Sequence, residues 1–310
     1  LDAGGLMRIA VLRNPGSSRN RGRPAPAMPA GVKVVALEGI DALPGVLAGL
    51  AAEGTDLLVI DGGDGTVREI LSRLPEAFPD GLPMIGILAR GNTNLVARKC
   101  GAIRSYAALE GLTREPAARH AKEVPILRID GLGEAPLRGF IAGWGAYATG
   151  TRIAVEEISS RGGRQVIRAV LAVLRRVIWG RDAAGLRAGV AVEAAPAGHP
   201  SFTGQGFAGI ITVLEGALIA GLSPFWGAGD GPLRWLDIEA SPARLWLAAP
   251  FLALGRPRLW MRRRGYRSGR TSELHLRVAG GLVIDGELFP TSIDQPLRLS
   301  AHETIHVVAV

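Results

Sequence analysis

The segment that most constrains the fold is residues 57–66, where a short apolar run and an aspartate lead into a glycine-rich turn. The turn reads Gly62-Gly63-Asp64-Gly65-Thr66. Four apolar residues follow it at helical spacing: Val67, Ile70, Leu71 and Leu74. The pattern predicts a strand, a tight turn and a helix. Glycines allow positive φ angles and close approach of N–H groups to a ligand, and a helix start attracts anions. We interpret the turn as a phosphate-binding loop around Asp64, with a plain tight turn as the alternative.

Length and composition indicate a globular protein of enzyme size. The chain has 310 residues, which favours two domains at about 150 residues each. The mean hydropathy is +0.22, yet no apolar run reaches the roughly 18 residues of a membrane span. A single cysteine, Cys100, leaves no disulfide framework and no Cys/His spacing for zinc, which favours a cytoplasmic location. The net charge of +8 favours anionic partners.

The order of apolar runs predicts the domain organisation. Short runs at residues 8–12, 33–37, 57–60 and 84–88, with helical patterns at 41–52 and after Thr66, predict a parallel α/β domain. From about residue 124 the chain has alternating runs separated by Gly and Pro, which predict a β-rich second domain. One helix is expected within that domain, over residues 163–179.

Other polar turns also follow predicted strands. Gly91-Asn92-Thr93-Asn94 follows the run at 84–88, and Asn14-Pro15-Gly16 follows the first strand. Because ligands bind outside the carboxyl ends of parallel strands, these turns are candidates for the same nucleotide site, although Asn and Thr could equally cap a helix. Downstream, Asp285-Gly286-Glu287 ends a strand with two carboxylates. They could supply a base beside a phosphate or form a bare hairpin turn.

Taken in order, these segments resemble the diacylglycerol kinase catalytic family. The likeness runs through Asn14-Pro15, residues 62–66, residues 91–98, Ala228-Gly229-Asp230-Gly231 and Asp285-Gly286-Glu287. It implies an α/β nucleotide-binding domain with a parallel sheet over residues 1–123, joined by residues 295–310. It further implies a β-sandwich-like lipid-substrate domain over residues 124–294.

The resemblance also implies roles for individual residues. The ATP-binding residues would be Asn14, Gly62, Gly63, Asp64, Gly65, Thr66, Gly91, Asn92, Thr93 and Asn94. Asp285 matches the family's catalytic base, Glu287 would orient it or help to bind metal, and Asp64 is a second catalytic candidate. Magnesium would neutralise charge on the transferring phosphoryl group, with no residue assigned as a fixed ligand. Asn92, Leu95 and Val96 depart from the family pattern, which removes a polar contact from the nucleotide site or from a secondary metal network.

A basic segment suggests a membrane partner. Seven arginines lie between residues 256 and 270, interleaved with Leu259, Trp260, Met261 and Tyr266. Such a mixture suits an anionic membrane surface, here the inner face of the membrane, and the alternative is a solvated basic loop. Nucleic acid is not expected, since no nucleic-acid-binding signature accompanies the charge.

The leading hypothesis is a cytoplasmic, peripherally membrane-associated lipid kinase. It would use ATP and magnesium to phosphorylate the hydroxyl of diacylglycerol or a related lipid. One alternative is a soluble NAD kinase-like enzyme, since the glycine-rich turn is similar in that family. The other is a catalytically silent protein that binds nucleotide or lipid.

Overall fold

The chain forms two compact units. Unit 1 comprises Leu1–Val124 and Thr304–Val310, and unit 2 comprises Pro125–Glu303. The structure, a computed structural model, describes residues 7–91, 93–114, 120–151, 183–218 and 222–310. The helix predicted over residues 163–179 lies outside these residues. Within them, no helix combines the length and apolar character that crossing a membrane requires.

Unit 1 is built on a mostly parallel sheet, which confirms the predicted α/β domain. In the described part of the chain this sheet has six strands in the order β2-β1-β3-β4-β17-β5. Their bounds are β1 Ile9–Arg13, β2 Val32–Ala36, β3 Leu57–Gly62, β4 Met84–Ala89, β5 Ala121–Pro125 and β17 Thr304–Val308. Neighbouring strands from β2 through β17 pair in parallel. All six residues of β3 are buried, as expected of a central strand covered on both faces.

The helices of unit 1 lie on the chain between these strands. They are α1 Leu43–Ala52, α2 Asp64–Ala77, α3 Leu95–Cys100 and α4 Ala108–Arg114. The apolar stripe predicted for α2 is buried, from Val67 to Leu74. Pro75 lies inside this helix. Because Pro75 falls in the last turn, its missing N–H removes a single hydrogen bond close to the helix end.

Unit 2 is the predicted β-rich domain, an antiparallel sheet. Its strands are β6 Leu127–Asp130, β7 Leu137–Gly139, β8 Ile141–Gly145, β9 Val190–Pro196, β10 Phe202–Thr212, β11 Leu233–Glu239, β12 Tyr266–Thr271, β13 Glu273–Val278, β14 Leu282–Ile284, β15 Glu287–Phe289 and β16 Leu297–Ser300. The sheet order within the described residues is β15-β14-β8-β10-β9-β13-β16-β6-β7, with β11 and β12 branching from β10. The helices of unit 2 that the structure describes are α5 Ala183–Ala188, α6 Leu245–Ala253 and α7 Leu259–Arg262.

The return of the chain to unit 1 differs from the prediction. Residues 295–310 were expected to rejoin the first domain together, yet β16 pairs with β6 and β13 of unit 2. Leu297 and Leu299 are buried there. Burial of these two leucines holds residues 297–300 in unit 2, and the chain rejoins unit 1 at Thr304.

Candidate functional site

Two turns meet at the carboxyl ends of the neighbouring strands β3 and β4. Residues 62–66 join β3 to α2, and residues 90–94 lead from β4 to α3. We call them the paired turns. The backbone N–H of Arg90 donates to the carbonyl of Gly62 at 3.0 Å, which continues the pairing of the two strands into the turns. The structure therefore brings together the two motifs that the sequence predicted to share one edge of the sheet.

The glycines of the paired turns allow close approach of backbones. A Cβ placed on Gly91 would lie 2.8 Å from the Cα of Gly63, and one on Gly62 would lie 2.6 Å from the Cβ of Thr66. Positive φ angles, the expected reason for these glycines, do not occur at Gly62, Gly63 or Gly65. Around Gly65 a Cβ would meet no atom within 4 Å. Gly62, Gly63 and Gly91 thus serve packing, and the space beside Gly65 is open.

Asp64 links the paired turns through its carboxylate. The backbone N–H groups of Leu95 and Val96 donate to its two oxygens at 3.0 and 3.1 Å. Burial raises the pKa of Asp64, and these two backbone bonds act in the opposite direction. The side chains of Leu95 and Val96, which depart from the family pattern, are buried. Asp64 therefore fixes the start of α3, and its catalytic role stays a prediction.

Asn94 closes the second turn on itself. Its backbone is left-handed, with φ 48° and ψ 42°. Its Oδ1 accepts the N–H of Gly91 at 2.7 Å, and its Nδ2 donates to the carbonyl of Gly91 at 2.8 Å. The side chain makes no capping bond to α3. Thr93 is half-buried in the same turn, and Asn92 lies outside the described residues.

Asn14 connects the first strand to the same edge. Its Nδ2 donates to Oγ1 of Thr66 at 2.8 Å, and its Oδ1 accepts the N–H of Gly16 at 2.9 Å. The predicted grouping of Asn14 with Thr66 is therefore present in unit 1. Both Asn14 and Asn94 hold turns in place through side-chain bonds, so the observed contacts are structural ones.

A buried carboxylate just before the paired turns was not predicted as part of the site. Asp61 is the fifth residue of β3 and is fully buried. Its oxygens lie 3.4 Å from the Nε atoms of Arg13 and Arg90, and they accept bonds from Tyr106 Oη at 2.5 Å and Asn20 Nδ2 at 3.1 Å. Burial and the bond to Asp61 raise the pKa of Tyr106. The sequence signal that could have identified this group is the aspartate within the apolar run at 57–62, because a buried charge needs oppositely charged or hydrogen-bonding partners.

Asp285 occupies the tip of a hairpin in unit 2. Asp285 and Gly286 form a two-residue turn between β14 and β15, with φ values of 47° and 95°. Two positive φ angles define a type I′ turn, for which Asp-Gly is a favoured sequence. The Asp285 carboxylate accepts the backbone N–H groups of Phe140 at 3.1 Å and Ile141 at 3.0 Å. The turn and these bonds together fix the direction of the carboxylate.

Gly139 and Tyr147 are neighbours of Asp285. A Cβ at Gly139 would lie 2.4 Å from Oδ2 of Asp285, so a larger residue at this position would displace the carboxylate. Burial, with the charge of Asp285 as a second cause, raises the pKa of Tyr147. Glu287 follows the turn as an exposed residue. Asp285 and Glu287 belong to unit 2, whereas the paired turns belong to unit 1.

In unit 1, strand β3 leads through a glycine-rich turn into helix α2, an arrangement whose helix start favours an anionic ligand. Residues 9–128 match the family model of the diacylglycerol kinase catalytic domain. This match confirms, over residues 9–128, the predicted resemblance to the diacylglycerol kinase catalytic family. Among curated proteins, none matches the chain.

Solved structures of similar fold come from Bacillus anthracis strain Sterne. Two are of a candidate diacylglycerol kinase, at 15% and 16% identity and TM-scores of 0.63 and 0.64. A third, of a diacylglycerol kinase, has 14% identity and a TM-score of 0.61. Each similarity covers 98% of this chain and 97% of the other. At these identities the likeness shows a shared fold, and it extends over both units.

Proposed function

We propose that the chain is an ATP- and magnesium-dependent lipid kinase that phosphorylates the hydroxyl of diacylglycerol or a related lipid. The observation that carries this proposal is the pair of turns at the ends of β3 and β4, within the segment that matches the catalytic domain. The open space beside Gly65, at the start of α2, is a suitable place for an anionic phosphate. The paired turns would hold ATP there.

Asp285 would act as the general base. Its carboxylate accepts the proton of the lipid hydroxyl while that oxygen forms a bond to the γ-phosphorus. The bond from this phosphorus to the bridging oxygen breaks, and ADP leaves. The N–H groups of Phe140 and Ile141 support this role, because they hold the carboxylate in one orientation.

Magnesium fits this arrangement as a companion of the nucleotide. Among the described residues, no three His, Cys, Asp or Glu side chains gather as a metal site. Magnesium commonly binds through substrate phosphates, water and one or two carboxylates, and it would neutralise phosphate charge here. Asp64 is the carboxylate nearest to the glycines of the turn in sequence and could supply such an oxygen.

The test compares Asp285→Asn with the wild-type protein. Each purified protein is incubated with labelled ATP and magnesium. The acceptors tested are diacylglycerol, monoacylglycerol, ceramide and sphingoid bases in anionic mixed micelles, with NAD as a control acceptor. We expect wild type to phosphorylate a lipid, and Asp285→Asn to lose at least about a hundredfold in kcat because the base is gone. Exposed Asp294 supplies the matched control, Asp294→Asn, which keeps wild-type activity.

Two results would overturn the proposal. If Asp285→Asn keeps full activity on every accepted lipid, Asp285 is not the general base. If NADP forms and no lipid product does, the protein is an NAD kinase-like enzyme instead. Calorimetry with ATP and magnesium accompanies the assay, since absence of nucleotide binding in folded protein would favour a silent lipid-binding role.

A further inference from the structure

Residues 244–264 of unit 2 form a basic surface without acidic residues, which we call the α6–α7 surface. Six arginines occur in this segment and no Asp or Glu. They are Arg244, Arg256, Arg258, Arg262, Arg263 and Arg264, and all six are exposed. In the described part of the chain, no carboxylate forms an ion pair with Arg262, Arg263 or Arg264. Within the described residues, the charge of these three arginines is therefore not balanced by a carboxylate.

The two remaining arginines of the predicted basic segment behave differently. Arg267 pairs with Asp237 and Glu239 at 2.9 Å each, and Arg270 pairs with Glu215. Both lie on β12 rather than on a helix. Internal ion pairs therefore account for the basic residues of the strand, and the unpaired charge is confined to the α6–α7 surface.

Large apolar side chains are exposed on the same surface. Trp246 is 64% exposed, Leu254 66% and Leu259 76%. The helices that carry these side chains are held against the core: Ala248 of α6 and Met261 of α7 are fully buried in the cluster that contains Tyr266. The hydroxyl of Tyr266 donates to the carbonyl of Ala243 at 2.9 Å, just before α6. Two short helices are thus fixed with apolar and basic residues facing outward.

We infer that the α6–α7 surface binds an anionic lipid bilayer. Exposed leucines enter the boundary between headgroups and acyl chains, tryptophan prefers that zone, and arginines pair with anionic headgroups. With nine residues, α6 is too short to span a bilayer and suits a position in the interface. A nucleic acid would match the arginines but leave Leu254 and Leu259 against a charged backbone.

Within unit 2, strand β8 connects the α6–α7 surface to Asp285. β8 begins at Ile141, whose N–H holds the Asp285 carboxylate, and Ala146 follows its last residue. Ala146 packs in the cluster that contains Ala248 and Met261. If the proposed kinase function holds, the surface brings unit 2 to the membrane that contains the substrate. Vesicle binding itself is independent of that function and is measured without ATP.

The experiment measures co-sedimentation of the full chain with vesicles of phosphatidylcholine alone and vesicles that also contain phosphatidylglycerol. We expect binding to the anionic vesicles alone, weakened by salt. The triple variant Arg262→Gln, Arg263→Gln, Arg264→Gln should lower the partition coefficient at least about tenfold, since each basic residue contributes to binding. Leu254→Gln with Leu259→Gln should also lower it and should reduce the blue shift of tryptophan fluorescence on binding.

Matched controls distinguish the effect of the α6–α7 surface from the effect of removing positive charge or an exposed leucine elsewhere on the protein. Arg104→Gln, Arg277→Gln, Arg298→Gln removes three exposed arginines elsewhere, and Leu82→Gln changes a leucine that is 38% exposed in unit 1. Both controls should bind as wild type does. Equal losses in the controls and the α6–α7 variants would overturn the inference. So would binding of duplex DNA or RNA that depends on Arg262–Arg264 without any vesicle binding, an outcome that would assign the surface to nucleic acid.

Discussion

Asp61 and Asp237 are both buried carboxylates, and their partners give them different properties. Two arginines, a tyrosine and an asparagine surround Asp61. Among the residues that the structure describes, Asp237 has one ion pair, to the partly exposed Arg267, and its Oδ1 has no hydrogen-bond partner. Burial therefore dominates at Asp237 and raises its pKa to about 6, against the lowering effect of Arg267. Asp237 consequently makes the stability of unit 2 depend on pH.

Replacing Asp237 by asparagine should remove that dependence. A folded-state pKa above the unfolded value means that the folded protein binds the proton more tightly, so this stabilisation is present at low pH and disappears as pH rises through about 6. Between about pH 4 and pH 8 the wild-type free energy of unfolding should fall by on the order of 2 kcal/mol from this group. Urea unfolding of Asp237→Asn across that range should show a flatter profile.

Exposed Asp230 supplies the comparison for this experiment. Asp230→Asn should keep the wild-type pH profile, since an exposed carboxyl contributes little to it. If Asp237→Asn and wild type differ by the same free energy at both ends of the range, the carboxyl of Asp237 titrates as an ordinary one and the interpretation fails.

At the level of residues, the sequence indicated which residues lie in the turns but not which atoms they contact. Gly62–Thr66, Asn14 and Asn94 could be selected because glycine, aspartate and asparagine follow predicted strands. The partners of Asp61 could not, because Arg13, Asn20, Arg90 and Tyr106 are far apart along the chain and are brought together by the sheet order. The sequence also could not show why glycine occurs at positions 63 and 91, because the close approach of Gly63 and Gly91 is a tertiary contact.

The contact between the paired turns makes a prediction at the level of elements. In Gly91→Ala the new Cβ would meet the backbone of Gly63 at 2.8 Å, and no side-chain rotation can relieve a contact with backbone. We expect the free energy of unfolding to fall by about 1–3 kcal/mol and ATP affinity to weaken, because overpacking separates the turns. Urea unfolding and calorimetry with ATP measure the two effects.

Gly65→Ala is the control within the same turn. Its Cβ would meet nothing within 4 Å, and alanine stabilises a helix relative to glycine by up to about 1 kcal/mol. Its stability should therefore equal or exceed that of wild type, while ATP binding weakens if phosphate occupies the open space. Wild-type stability of Gly91→Ala would show that the turns can separate freely and would contradict the role given to their contact.

Elements with a clear hydrophobic period were predictable, and α6 and α7 were not. The strands of unit 1 and the buried stripe of α2 follow directly from apolar spacing. Residues 245–254 are apolar apart from Pro250, which lies inside the helix there. Every residue of α6 except Pro250 is apolar, on the exposed face (Trp246) as well as on the face that packs against the cluster (Leu245, Ala248), so periodicity carries no signal there.

At the scale of the whole molecule, the chain leaves unit 1 after Val124 and rejoins it at Thr304. The sequence could predict the return but not its position, because β16 and β17 are both short strands with alternating apolar residues, and only residues 301–303 lie between them. Alternation alone does not state which sheet a strand joins. The buried faces decide it: Leu297 and Leu299 are covered in unit 2, whereas Ile305 and Val307 are covered in unit 1.

Since β17 lies between β4 and β5, a polar residue on its buried face should destabilise unit 1 selectively. Val307 pairs with Ile85 and is fully buried, whereas the adjacent His306 is exposed. Val307→Ser should lower the free energy of unfolding by about 3 kcal/mol through lost packing and a buried hydroxyl, and His306→Ser should have little effect.

Two spectroscopic probes distinguish the units in that experiment. All six tryptophans lie between residues 125 and 303, so their fluorescence reports on unit 2, whereas α1 and α2 of unit 1 contribute to the far-ultraviolet circular dichroism. Each unit has a buried apolar cluster of its own, so the dichroism transition of Val307→Ser should move to lower urea while the fluorescence transition keeps its wild-type midpoint. A common shift of both transitions would mean that the units unfold together, because a perturbation confined to β17 would then have reached the tryptophans of unit 2.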